Sequence, residues 1–429
     1  MASSRMKVLV VGGGGREHAL AWRLRRSDSV ERVEAAPGNA GIADVARCHA
    51  IAGDDVPALV ELARSGRYDL VVVGPERPLS LGLADALAAE GIRVFGCSKA
   101  AAEIEASKEF AKALMVRAGV PTADYRAFES DEIAEAVAYG ARHVERAGRV
   151  VIKADGLAAG KGVVICESRP EVEPAVRLLF DLSGGARPVV VEEFLVGREA
   201  SCMALVSGES VYSLPACEDH KTLGDGDRGP MTGGMGAISP TPVVDGAMAA
   251  RVEREVLVPT ARAMAEAGRP FHGLLYAGLM ITADGPRVLE FNCRFGDPET
   301  QALMPRIRGD FAAALLAIAE GRAPSLAYWP VASCTVVLAA PGYPGTVERG
   351  GAIDLQGLHR AGFGGTQVFH AGTRWDGDVL RVDGGRVLSV TATGADLAAA
   401  RERAYASVSK IRFPGMQYRH DIGARPTGR

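Results

Sequence analysis

The chain has 429 residues, 48% hydrophobic and 24% charged. Its length, about three domains' worth, predicts two to four domains with a large core, and the composition excludes wholesale disorder and a fibrous repeat. A net charge of −3 argues against nucleic acid as a partner, because binding phosphate backbones needs a clear basic excess.

The first five residues carry one charge and lead into the apolar run Val8 to Val11. That run is too brief for a signal h-region and opens a strand. Strand-like runs at 7–11, 32–35, 70–74 and 93–95 then alternate with helical periodicity at 17–26, 56–65 and 79–90, the rhythm of an open parallel sheet. A helix over 100–117 carries the chain out of this unit, and Gly119-Val-Pro121 ends it. The next unit reads as helix 131–146, strand 149–153, a glycine-rich turn, strand 162–166, helix 170–182 and strands 188–194 and 199–206. Between Cys217 and Pro242 little pattern is visible, and an unpatterned stretch of that length in a compact domain is expected to be functional. A long helix over 246–267 follows, with strands at 273–281 and 287–292 and a helix at 310–320. After Pro324 comes a smaller α+β piece, with strands at 334–340, 368–371 and 386–393 and a helix at 395–407. No run reaches the roughly 18 apolar residues of a membrane helix. Seven cysteines lie far apart with no C-x-x-C pair, which suggests neither a disulfide framework nor a zinc site and fits a reducing cytoplasm.

The segment Gly12-Gly-Gly-Gly15-Arg16-Glu17 sits between a strand and a helix start, a geometry that offers backbone N–H groups to an anion at the positive end of the helix dipole. As a dinucleotide fingerprint it is defective. Glu17 falls at the third glycine position, and the second strand ends in Ala35-Ala-Pro37 with no acid for a ribose hydroxyl. A turn whose glycines only permit tight packing is the plainer alternative.

Strand 149–153 ends on Lys153, and the loop after it reaches Lys161 through Asp155, Gly156 and Gly160. Only eight of the 49 basic residues are Lys, so two ammonium groups flanking a glycine loop suit a polyphosphate. This is not a Walker loop: Asp155 stands where glycine is required, and Gly162 replaces the Ser or Thr that holds magnesium. A different nucleotide fold, or a plain hairpin with solvated lysines, is implied. Glu290 and Asn292, two apart on a strand, share a face on which a hard cation fits, with Arg294 next along; an edge strand with one polar face is the plainer alternative. Asp219-His220-Lys221 leads to the glycine-dense run 232–237. There backbone approaches a small ligand closely, Asp219 suits an amino group, and His220 serves local hydrogen bonding. Glu192-Glu193-Phe-Leu195 closes a strand; such acids are either solvated or serve the adenine and ribose of a nucleotide.

Taken in order, GGGGREHAL near the start, APGNAG at 36–41, VGPE at 73–76, VIKADGLAAGKGV at 151–163, DHK at 219–221, TGGMGA at 232–237 and LEFNCRFGDPETQ at 289–301 resemble the glycinamide ribonucleotide synthetase family, ATP-grasp enzymes of purine synthesis. The resemblance runs nearly the whole chain. It implies an α/β protein: an amino-terminal open parallel-sheet domain for a phosphosugar (1–107), a central ATP-grasp domain of two α+β subdomains (108–325), and a small carboxy-terminal α+β domain (326–429). Carried over by position, Lys108 and Lys153 are ATP lysines with Lys161 in the lid, Glu192, Glu193 and Leu195 form the adenine hinge, and Glu199 meets the ribose. Glu290 and Asn292 would hold Mg²⁺ or Mn²⁺. Gly12, Gly13, Gly14, Gly15, Arg16, Glu17, Asn39, Glu76, Asp219, Lys221, Gly233, Gly234, Met235 and Arg294 would form the pocket for 5-phosphoribosylamine and glycine. Lys153, Lys161 and Arg294 would offset charge in the reaction, which joins the two substrates as ATP becomes ADP and phosphate through a glycyl phosphate. The resemblance further implies a cytoplasmic monomer whose partners are these small molecules, with neither nucleic acid nor membrane.

Overall fold

The computed structural model describes residues 5–157, 162–358 and 365–424. Val8–Val11 and Leu70–Val73 are apolar on both faces and fully covered, which favours a parallel sheet flanked by helices. The five strands lie in the order Arg47–Cys48, Val30–Pro37, Met6–Gly12, Leu70–Val73, Val94–Phe95, all parallel. The chain moves to one side of Met6–Gly12 and then returns to the other. The strand order therefore reverses beside the carboxyl end of that strand, where ligands of open α/β sheets bind. The glycine loop after Gly12 and the segment after Val73 both open at that point. The helix expected over 79–90 is two helices, Glu76–Ser80 and Leu83–Ala89, because Gly82 between them takes φ +91°, a left-handed conformation that ends a helix.

Two four-stranded antiparallel sheets form the centre. The first runs Tyr125–Phe128, Val189–Glu193, Val150–Ala154, Val163–Cys166 and is backed by helices Ile133–Ala147 and Arg169–Leu182. The second runs Ser210–Ser213, Arg198–Ser207, His272–Thr282, Gly285–Asn292. The helix expected over 246–267 is present, but a π-helical turn at Glu253–Leu257 interrupts it before Val258–Glu266. Pro259 accounts for this: it has no N–H to donate and its ring crowds the carbonyl four residues back, so the turn widens. The Thr260 hydroxyl bonds the Val256 carbonyl at 2.6 Å in compensation.

The carboxy-terminal sheet runs Glu218–Asp219, Gly236–Ser239, Ala332–Ala339, Arg386–Gly394, Thr366–His370, with helix Leu397–Val408 packed against it. Its first two strands come from the stretch that showed little pattern, and the residues between them form a hairpin of Thr222–Gly224 and Arg228–Met231. Gly236–Ser239 is four residues long and buried throughout, so it carries no alternation to read. Among the described residues no helix is long and apolar enough to cross a membrane.

Candidate active site

On the first central sheet Lys153 lies opposite Val163 and Val190, and Val151 opposite Ile165 and Glu192. Directly opposed residues share a face, so these side chains all point away from the helices that cover Ile152, Ala154, Val189 and Val191. Val163 and Ile165 are 39% and 45% exposed on that face. The result is an apolar platform beside a buried ammonium, which leaves no mark in the sequence because neither residue carries polar chemistry.

Glu192 lies between two cations, with ion pairs to Lys112 and to Lys153. Burial alone would raise its carboxyl, but Lys153 and Lys112 hold it below the ordinary range. Lys153 Nζ also crosses to the second sheet, donating to the Leu289 carbonyl at 3.1 Å. Glu193 accepts from the Asp124 N–H at 3.0 Å and pairs with Arg287 at 2.8 Å. Both acids of the expected hinge are thus committed to the protein, and only the backbone of 193–195 and the buried Leu195 are left outside these ion pairs.

On the second sheet the register slips between Gly278 and Leu279, which face Glu290 and Val288. Leu289 is the extra residue of a β-bulge, a device that re-aims neighbouring groups: its carbonyl meets Lys153, and Glu290 is directed into the space between the sheets. Among the described residues the ion pair of Glu290 is a loose one, 4.0 Å from Lys221, which pairs more closely with Glu199 at 3.2 Å. Burial in the cleft would raise the Glu290 carboxyl, but Lys221, Lys153, Lys108 and Arg294 outweigh it and keep it ionised. Asn292 Oδ1 accepts from Arg294 at 3.0 Å and keeps a second lone pair. A lightly engaged carboxylate and an amide oxygen two residues apart fit a hard cation that takes its other ligands from water and phosphate. Among the described residues no group of three acids, histidines or cysteines gathers to hold an ion alone.

Asp155, the residue that rules out a Walker loop, accepts from the N–H groups of Lys108 (2.5 Å) and Glu109 (3.2 Å) at the start of helix Lys108–Ala118, beside its cap Ser107. Lys108 Nζ donates to the Gly156 carbonyl at 2.9 Å, which ties the helix start to the loop. Lys161 lies outside the described residues.

Arg294 joins the first domain to this cleft. Its Nε meets Glu76 at 3.1 Å, and Nη2 meets Glu105 at 3.0 Å as well as Asn292. Burial would lower the guanidinium, but Glu105 and Glu76 hold it above its usual value. Glu105 is a member that no local sequence pattern marks; burial pushes its carboxyl up despite Arg294. At the strand-order reversal, Asn39 Nδ2 donates to the Gly13 carbonyl at 2.9 Å, and Arg16 reaches the Phe295 carbonyl at 3.1 Å. The glycine loop offers fewer free donors than its sequence suggested, because Glu17 folds back and accepts from Gly14 N–H at 2.6 Å.

The glycine-dense run is pinned from the carboxy-terminal domain. Arg386 donates to the carbonyls of Gly233 (2.5 Å) and Asp297 (2.6 Å) and pairs with the Asp297 carboxylate at 3.2 Å. No sequence signal identified it, since it lies 153 residues from Gly233. Asp219 is raised well above the ordinary carboxylate range by burial and the neighbouring Glu299. Among the described residues its Oδ1 has no hydrogen-bond partner. Glu299 itself accepts from Tyr276 (2.7 Å) and Ser201 (2.9 Å). Met235 is fully buried beneath the run. Gly234 has φ +108°, and a Cβ there would lie 2.5 Å from Pro298 Cδ and 2.7 Å from Asp219 Oδ1. We therefore expect Gly234→Ala to destabilise the protein by about 1–3 kcal/mol, read from the denaturant midpoint; an unchanged midpoint would show that the run tolerates a side chain.

Family models described as phosphoribosylglycinamide synthetase N domain, ATP-grasp (A) domain and C domain match residues 6–105, 106–300 and 333–425. The phosphoribosylamine–glycine ligase of Brucella melitensis is 48% identical over 430 aligned residues, 99% of each chain. That of Halalkalibacterium halodurans is 47% identical, covering 98% of this chain and 97% of its own. The crystal structure of the phosphoribosylamine–glycine ligase from Thermotoga maritima superimposes with a TM-score of 0.83 at 33% identity, covering 97% of this chain and all of that one. A biotin carboxylase domain of Hydrogenobacter thermophilus, at TM-score 0.72 and 18% identity over 96% of this chain and 92% of its own, shares the fold.

Proposed function

The chain belongs to the phosphoribosylglycinamide synthetase family and is an ATP-dependent ligase of purine biosynthesis; we propose that its cleft joins the glycine carboxylate to the amine of 5-phosphoribosylamine through a glycyl phosphate. A carboxylate is a poor acyl donor because oxide would have to leave, so phosphorylation must come first. The observation that carries the reading is the Lys153 ammonium spanning the two sheets to Leu289, one residue from Glu290. A triphosphate lying there has its adenine on Val163 and Ile165, backbone groups of the 193–195 hinge at its edge, and its charge met by Lys153, Lys108 and Lys221, with Lys161 assigned by position alone. Glu199 is the ribose contact, where its pairing with Lys221 links ribose to phosphate. Glu290 and Asn292 would hold Mg²⁺ or Mn²⁺, which when bound neutralises charge between the terminal phosphates.

Asp219 is the seat for the glycine ammonium. A cation arriving at its unpartnered oxygen lowers its pKa and ionises it, so recognition supplies the charge that burial withholds. The glycine loop, Arg16, Asn39 and Glu76 receive the phosphoribosylamine at the strand-order reversal. Arg294, held by two carboxylates, positions substrate more than it offsets phosphoryl charge. The proposed domain boundaries are 1–107, 108–325 and 326–429, with Glu218–Asp219 and Gly236–Ser239 of the middle domain reaching across to pair in the carboxy-terminal sheet. We propose further that the chain acts as a monomer in the cytoplasm, where its seven free thiols stay reduced.

The test is phosphate release with ATP, glycine and freshly generated phosphoribosylamine, omitting each in turn. Release that requires all three supports the reading. Equal release with another acid or amine overturns it.

A further inference from the structure

Lys112 is 2% exposed on helix Lys108–Ala118 and belongs to none of the substrate contacts above. Its ammonium pairs with one oxygen of Glu192, and the other oxygen pairs with Lys153. It also donates to Thr122 Oγ1 at 2.8 Å, and that hydroxyl donates to the Val288 carbonyl on the second sheet at 2.7 Å. One buried carboxylate is thus shared by two ammonium groups, only one of which faces the cleft. If Glu192 had a single cation partner, its whole charge would act on Lys153 and draw it away from any phosphate. With Lys112 in place, that pull is divided.

We propose that Lys112 is a positioning residue for nucleotide binding, which loosens the hold of Glu192 on Lys153 so that the Lys153 ammonium is free to engage the triphosphate. The inference rests on the ATP-cleft reading above. It assigns the lysine pair unequal tasks: Lys153 touches the nucleotide, and Lys112 sets how available Lys153 is.

The arrangement has a pH signature. Around Lys112 stand Glu192 and Lys153 on neighbouring strands, Arg287 on the second sheet, and the ring of Tyr125 at 5.5 Å. Burial lowers the Lys112 ammonium to about 8, with Glu192 opposing the shift and Lys153 and Arg287 adding to it. Above that pH Lys112 becomes neutral, Glu192 acts on Lys153 alone, and the nucleotide binds more weakly. Below it, the division of charge is intact. An Arg at this position stays charged throughout.

The experiment measures affinity for a non-hydrolysable ATP analogue by calorimetry across this pH range, with the ligation rate measured in parallel, for wild type, Lys112→Arg and Lys112→Met. We expect wild-type affinity to fall above about pH 8. Lys112→Arg should lose that limb while keeping neutral-pH affinity. Lys112→Met should bind about 10–100-fold more weakly at neutral pH, with no further alkaline loss. Equal affinity in all three proteins, or the same alkaline limb in Lys112→Arg as in wild type, overturns the proposal while leaving the ligase reading intact. A normal pH pattern of nucleotide binding without glycine-dependent ligation does the reverse. If Lys112→Met does not fold, the comparison of wild type with Lys112→Arg decides alone.

Discussion

Lys153→Ala is expected to slow turnover by about 10²–10³-fold, the cost of losing one preorganised donor aimed at developing charge. The size follows from where the ammonium sits. It is 7% exposed and held by Glu192 and the Leu289 carbonyl, which leaves the third of its N–H donors aimed at the charge that builds on the transferring oxygens. The loss should appear mainly in kcat, because that charge is greater in the transition state than in bound ATP. The variant should still fold: Glu192 keeps its pair with Lys112, so no buried carboxylate is stranded. Steady-state phosphate release together with the thermal unfolding midpoint checks both halves. A rate within a factor of two or three of wild type would remove Lys153 from the chemistry.

That lysine was legible in the sequence, and the reason shows where legibility ends. An apolar strand that stops on a cation before a glycine loop is a local pattern, as is the two-residue spacing of Glu290 and Asn292, and the structure places these groups on the two walls of one cleft. What sets their availability is not local. Glu192 draws Lys112 from a helix about eighty residues earlier in the chain, Arg294 draws Glu105 from nearly two hundred residues away, and Arg386 reaches Gly233 from another domain. No periodicity announces such partners. The bulge at Leu289 is likewise hard to read, since it shifts the alternation once, putting Val288 and Phe291 on the same buried side, and a single shift in a strand of eight residues does not stand out. Gly14 illustrates the opposite error. The glycine loop looked rich in free donors, yet the same sequence carried the acid that occupies one of them, Glu17, three residues on. The short strands at Glu218–Asp219 and Gly236–Ser239 escaped because each is too brief to show a period.

Arg294→Ala is expected to cost about 3–5 kcal/mol of stability, the penalty for stranding a buried charge. Two carboxylates depend on this guanidinium, Glu76 at 3.1 Å and Glu105 at 3.0 Å. Glu76 stays about one-third exposed and regains water, whereas the Glu105 side chain is 8% exposed and cannot. The pH dependence separates this cause from lost packing. Burial already raises the Glu105 carboxyl above its ordinary value, and Arg294 is the chief force opposing that rise. Without Arg294 the folded-state pKa climbs further, while the unfolded value stays near about 4.3. The folded variant then binds more protons than the unfolded chain between those two values, so its stability falls as pH rises through that window. The deficit relative to wild type should be smallest in mild acid and grow toward neutrality. Denaturant unfolding of both proteins at several pH values measures it. A deficit independent of pH would mean that Arg294 acts through shape alone, and Arg294→Lys, which keeps the charge but loses the fork that reaches Glu76, Glu105 and Asn292 together, should fall between the two.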